Sequence, residues 1–121
     1  MISSHGVAIL VATGVYTAGA LLQLFAPRTS LALIFGVQTG DPFTLLISRH
    51  WGLLAALVGS LLVYSAFHPE VRAPVMVVAI VEKLVLAGLT FFGSWKRTPA
   101  ATRTAVVDVA IAVLLLLVLA V

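Results

Sequence analysis

The sequence predicts an all-α fold: an integral membrane bundle of four transmembrane helices, with a short interfacial or re-entrant segment between helices 1 and 2. Two observations carry this expectation. Of the 121 residues, 62% are hydrophobic and only 9% are charged, a balance foreign to soluble domains. The apolar residues also gather into four runs, about 5–26, 42–67, 71–93 and 99–121, each at or above the ~20 residues that cross a hydrocarbon core of ~30 Å. Almost no chain is left outside these runs, so residues 1–121 are expected to form a single membrane domain.

The first run follows Met1-Ile2-Ser3-Ser4-His5, which lacks the basic residues that open a signal peptide. It is therefore expected to be a retained helix, although Ala18-Gly19-Ala20 has the small side chains of a cleavage site. Leu31-Ala32-Leu33-Ile34-Phe35, between Thr29-Ser30 and Gly36, is too short to cross. It reads as a short helix covering one end of the bundle, or as an apolar loop on the headgroups. Asp41-Pro42 and Thr98-Pro99 each place a capping oxygen before a proline at the first helical position, where its missing N–H costs nothing. His68-Pro69 closes the second run and Pro74 lies near the start of the third, which predicts a tight antiparallel hairpin.

Four crossings put the first and third loops at one end. That end carries Arg28, Lys96, Arg97 and Arg103, against Arg72 at the other. The excess of basic residues predicts a cytoplasmic position for the first end and extracytoplasmic N- and C-termini. The net charge of +3 follows from this basic rim, which suits anionic lipid headgroups and implies no nucleic-acid partner. Cysteine is absent, excluding disulfides, thiolate metal sites and cysteine nucleophiles. His5 and His68, with Glu70, fall near the outer face and read as interfacial polar residues, so no metal site is expected. Trp95 reads as an aromatic anchor. No phosphate loop or nucleophile elbow is present, and no cofactor is named by the sequence.

Charges inside the apolar runs are the unusual feature. Arg49, Glu82, Lys83 and Asp108, with His50 and Tyr16, lie ~10–17 Å from the cytoplasmic helix ends at ~1.5 Å per residue. Helical spacing puts Arg49 on a face with Gly52, Ala56, Gly59 and Val63; Lys83 with Ala79, Ala87 and Thr90; Asp108 with Ala101, Ala105 and Ala112; and Tyr16 with Thr13, Ala20 and Gln23. Small residues mark helix contacts in membranes, so these faces are expected to point inward, while Leu114 to Leu117 make the outer half of the last helix apolar all round. At ~2.5–3.5 kcal/mol per central charge, four unpaired charges would cost on the order of 10 kcal/mol. Two cations are therefore expected to neutralise two anions, with Arg49 bidentate to Asp108 or Glu82. The candidate acid–base groups are Glu82, Asp108 and His50; the candidate ligand-binding groups are Arg49, Lys83, Tyr16, Trp51 and Gln23.

Leu24-Phe25-Ala26-Pro27 with Phe35-Gly36, followed by Arg49-His50-Trp51-Gly52 and Gly59, resembles the small DoxX-like and DUF4345-like membrane families, in which an Arg followed shortly by Gly opens the second helix. The resemblance implies a four-helix bundle in a bacterial inner membrane, with Arg49 and Gly52 as pattern positions. Glu82-Lys83 has no counterpart there. From the residues themselves, the expected function is binding of a hydrophobic or amphipathic ligand such as a lipid, quinone or sterol-like molecule, with acid–base chemistry available to it. An accessory subunit of a membrane complex or a homo-oligomer is the alternative. A proton-coupled small transporter or channel is the third reading.

Overall fold

Proline opens four of the five helices in the computed structural model: α2 (Pro27–Phe35), α3 (Pro42–Phe67), α4 (Pro69–Phe92) and α5 (Pro99–Ala120). The first helix, α1 (Ser4–Phe25), contains a tight 3₁₀ turn at Gly19–Leu21. The structure describes residues 4–93 and 98–120, so Trp95, Lys96, Arg97 and Val121 lie outside the described residues. Helices α1, α3, α4 and α5 are each long and apolar enough to cross a membrane, and the chain is a multi-pass membrane protein.

The boundaries correct the sequence expectation in two places. Helix α4 starts at Pro69 rather than near 71, because Pro69 takes the first helical position directly after the extended His68 (φ −133°, ψ 85°). Helix α2 starts at Pro27, well before Leu31. Ala26 breaks away from α1 in a non-helical conformation (φ −136°, ψ 65°), as a residue before proline tends to do. Gly36 then stops α2 in the left-handed region at φ 66°, a conformation that only glycine adopts freely.

The spanning helices form a ring in which α1 packs along α3, α3 along α4, and α4 along α5, while α1 and α5 touch only sparsely. The α1–α3 seam is built on glycine. A Cβ added to Gly59 would lie 2.4 Å from the Ala18 nitrogen and 2.5 Å from the Gly14 oxygen, and one on Gly52 would lie 2.6 Å from the Gln23 Cβ. Helix α2 crosses the end of the weak α1–α5 seam. The carbonyls of Leu33, Ile34 and Phe35, left without intrahelical partners in its last turn, accept hydrogen bonds from Arg103 (3.1 Å) and Thr104 (2.6 Å) on α5 and from Thr98 just before it.

The apolar core fills the half of the bundle remote from α2. Leu10, Leu62, Met76, Ile111, Leu115 and Val118 pack there. Leu115 is fully buried, so the run Leu114 to Leu117 is not lipid-facing all round; its three neighbours remain exposed.

Two tests follow from this packing. Gly59→Ala should cost about 1–3 kcal/mol, because backbone rather than a flexible side chain meets the new methyl. Gly88→Ala, whose Cβ meets nothing within 4 Å, should leave stability level or raise it by up to ~1 kcal/mol; thermal unfolding in detergent compares the two. At the start of α3, the Asp41 carboxylate accepts from the Thr44 N–H (2.9 Å) and hydroxyl (2.7 Å), and these bonds hold its pKa below the ordinary value. A lowered folded-state pKa means that the stabilisation is present above the unfolded-state value, ~3.9 for Asp, and is lost as pH falls through the folded-state value. Wild-type unfolding scanned from pH 5 to 3 should therefore lose more stability than Asp41→Asn.

Candidate functional site

Lys83 and Asp108 sit on the buried stripes of α4 and α5. Ala79, Ile80, Lys83, Ala87 and Thr90 form the first stripe, and Ala101, Ala105, Asp108 and Ala112 the second. Small neighbours let these helices approach closely enough for the long Lys83 side chain to cross the gap. Its ammonium donates to Asp108 Oδ1 at 3.5 Å and lies 3.9 Å from Glu82 Oε1. Lys83 is 3% exposed and Asp108 4%, so the pair is buried. Its geometry is nevertheless loose, since charge-assisted N–H···O bonds close to ~2.7–2.9 Å when unconstrained.

The reason for that looseness lies beside the pair. A cavity of about 380 Å³ is lined by Glu82, Lys83 and Asp108 at its polar end and by Tyr16, Trp51 and Arg103 around it. Measured from the α2 end of each helix, Tyr16, Trp51, Lys83 and Asp108 all lie nine residues in, a common depth of ~14 Å at 1.5 Å per residue. One residue from each spanning helix thus reaches the same level. The mouth falls on the weak α1–α5 seam: Tyr16, Gly19, Leu22, Leu33 and Arg103 line the cavity and are exposed on the surface. The Trp51 ring is fixed edge-on against Phe35 at the end of α2, with centroids 5.8 Å apart and planes at 63°.

Several expected site residues stand elsewhere. Arg49 is exposed and pairs with neither carboxylate; its Nη1 donates to the Leu24 carbonyl at 3.0 Å. That carbonyl belongs to the last turn of α1, where chain continuation supplies no helical donor. A cation at a helix C-terminus is also favoured by the helix dipole. His50 is exposed and does not line the cavity. Gln23 is buried outside the cavity, where its Oε1 accepts from the Ser30 hydroxyl at 2.9 Å and ties α1 to α2. Tyr16 reaches the site from its rim, 51% exposed. At the opposite end, His68 stacks on Tyr64 (3.8 Å, 5°) and its Nδ1 pairs with the Tyr64 carbonyl at 3.0 Å. No group of three or more metal-ligating side chains occurs among the described residues.

Arg103 is the site residue that sequence reasoning missed. It read as part of the basic rim because it lies only four residues into α5. Its signal was the separation of only five residues, about a turn and a half, from Asp108, with Thr104 between, on a helix otherwise apolar beyond that point. Arg103 replaces Arg49 as the second cation of the constellation, but at the mouth rather than at depth.

Chemically, the cavity offers ammonium donors from Lys83, acceptors from Glu82 and Asp108, and two aromatic rings at one level. Fold and site together define a multi-pass membrane protein with a largely apolar cavity, charged at one end, at the seam between its first and last helices. No protein-family model, curated protein or solved structure matches the chain.

Removing one partner of the buried pair should be costly. Asp108→Ala is expected to destabilise by about 3 kcal/mol, and a Lys83→Met/Asp108→Leu double variant to recover most of that loss. Arg49→Met should cost about 1.5 kcal/mol, since it removes one charge-assisted hydrogen bond to a carbonyl and leaves no buried charge unpaired. Equilibrium unfolding in mixed micelles measures all three, and a larger loss for Arg49 than for Asp108 would refute this assignment of the central pair.

Proposed function

We propose that this protein binds a lipid-soluble amphipathic molecule in the cavity, admitted sideways between α1 and α5. The carrying observation is that the buried Lys83–Asp108 pair, with Glu82 at its side, faces open space. An ion pair serving only to pin helices gains most when it is tightly packed and fully hydrogen-bonded, whereas this one leaves acceptor oxygens and ammonium protons directed at a ligand-sized volume. The apolar walls from Leu22, Leu33, Ile34 and Leu86 suit the body of a lipid, quinone or sterol-like molecule. The polar end suits its single polar group, with Glu82 or Asp108 able to exchange a proton with it.

The setting proposed for this binding is a bacterial inner membrane, as the likeness to DoxX-like proteins implies. The α2 end, with Arg28, Arg103 and the Lys96-Arg97 sequence, would face the cytoplasm and both termini the outside. The mouth then opens in the cytoplasmic leaflet, with Arg103 near the phosphate level.

Gly19 provides the test. It lines the cavity, and a Cβ there meets nothing within 4 Å, so Gly19→Trp should fill the mouth without disturbing the fold. Native mass spectrometry of wild-type protein loaded with a short-chain ubiquinone, a sterol or membrane lipid extract should show one retained molecule. The Gly19→Trp variant, melting within a few degrees of wild type, should lose it. Wild-type protein that retains neither these molecules nor a lipophilic organic cation after loading, or retention unaffected by Gly19→Trp, would refute the proposal.

A further inference from the structure

At the inner end of the cavity the charges do not cancel. Glu82 and Asp108 supply two carboxylates, and Lys83 supplies one ammonium shared between them at 3.9 and 3.5 Å. The fourth charged residue lining the cavity, Arg103, is exposed at the mouth, with its guanidinium donating to the Leu33 carbonyl. It lies five residues closer to the α2 end than Asp108, ~7–8 Å along the helix, where water and headgroups screen it. The other elements around the cluster bring no cation among the described residues: α1 contributes Tyr16 and Thr17, α2 contributes Leu33 and Ile34, and α3 contributes Trp51 and Ala55.

A surplus negative charge at this depth is costly. Two neutralising partners are chemically available: a proton on one of the two carboxyls, or a cation in the cavity. An anionic ligand meets the opposite problem. Its only deep partner would be Lys83, already claimed by two carboxylates, and it would add to the surplus. Tyr16 and Trp51 also line the cavity at the level of Asp108, and aromatic rings are groups that attract cations.

We propose that the molecule bound in the cavity is a lipophilic organic cation, an amine or quaternary onium with an apolar body, and that its binding displaces one proton from the Glu82–Asp108 carboxyl pair. This rests on the cavity-binding reading above and narrows its ligand class. The exchange balances: one positive charge enters, one proton leaves through the mouth to water, and the net charge of the cluster is unchanged. No covalent bond to carbon is made or broken. Because cation and proton compete, affinity rises with pH until the carboxyl pair holds no proton. One-for-one exchange predicts ~tenfold tighter binding per pH unit in that range.

The test uses the full chain in mild detergent and three probes: tetraphenylphosphonium, the near-isosteric anion tetraphenylborate, and a neutral short-chain ubiquinone. Calorimetric titration in two buffers of different ionisation enthalpy reads affinity and protons released together. Tetraphenylphosphonium should bind at least tenfold more tightly than tetraphenylborate, release close to one proton, and tighten with rising pH. Gly19→Trp should abolish this binding, which separates it from partition into the micelle. Glu82→Gln and Asp108→Asn should each lower affinity and suppress proton release, and wild-type pH dependence carries the test if either variant fails to fold. Tighter binding of tetraphenylborate or ubiquinone, or cation binding with no proton release at any pH, would overturn the cation proposal while leaving the cavity as a binding site. Failure of all three probes to bind wild-type protein would overturn both.

Discussion

Gly14, Gly52 and Gly59 hold α1 against α3 so closely that a Cβ added to any of them would lie within 2.7 Å of backbone on the facing helix, and the placement of the other helices follows from that contact. Lipid tails are as apolar as the helix surfaces, so helix association in a membrane depends on close dispersion contact rather than on escape from water. Once α1 is drawn onto α3, its opposite flank, with Tyr16, Gly19 and Leu22, is left turned towards α5 at a distance. Helix α5 is itself committed to α4 through small residues at Ala101, Ala105 and Ala112. The ring therefore closes poorly at one seam. In the half with the termini, Leu10, Ile111 and Leu115 fill it; in the half with α2 it remains a cavity.

Helix α2 stabilises that gap instead of closing it. Its last-turn carbonyls need donors, and the three residues that supply them, Thr98 just before α5 and Arg103 and Thr104 within it, stand at the rim or the end of the seam. A helix end buried in a membrane without donors would cost several kcal/mol per orphaned group, so these bonds fix α2 where the cavity would otherwise be lost to collapse of α1 on α5. Trp51 is oriented by the same helix through Phe35. The site is thus shaped by backbone satisfaction at a helix terminus, and its charged side chains are presented on α4 and α5.

The fold was legible because its signals are local. Asp41-Pro42 and Thr98-Pro99 mark helix starts whatever surrounds them, and apolar length identifies the spans. The buried stripes of α4 and α5 also follow from helical spacing, which places Lys83 and Asp108 correctly. Two assignments escaped for tertiary reasons. On α3 the buried stripe is centred on Ser48, Gly52 and Gly59, so Arg49 lies at its edge, where a free carbonyl on α1 competes with the distant carboxylates and wins by proximity. On α1 an ideal helix would put Tyr16 and Gln23 nearly on one face. The 3₁₀ turn at Gly19–Leu21 interrupts that register, and Gln23 is engaged by Ser30 instead of lining the cavity. Neither the overwound turn nor the orphan carbonyl has a sequence signature of its own.

The bilayer also changes what a cavity must do to be occupied. In water, an apolar pocket attracts apolar molecules by removing them from solvent. Here the competing environment is lipid, which solvates an apolar body as well as Leu22, Leu33 or Leu86 can. The apolar walls therefore contribute tolerance of shape and little affinity. Preference for the cavity over the surrounding lipid has to come from groups that lipid lacks, and at the shared depth these are the ammonium, the two carboxylates and the rings of Tyr16 and Trp51. Their interactions are strengthened by the low dielectric that makes them expensive to bury. An occupant of the proposed kind would complete the charge cluster and so offset the cost of holding it in the membrane. That gives a physical reason for a fold this small to keep Glu82, Lys83 and Asp108 open to the seam instead of sealing them between helices.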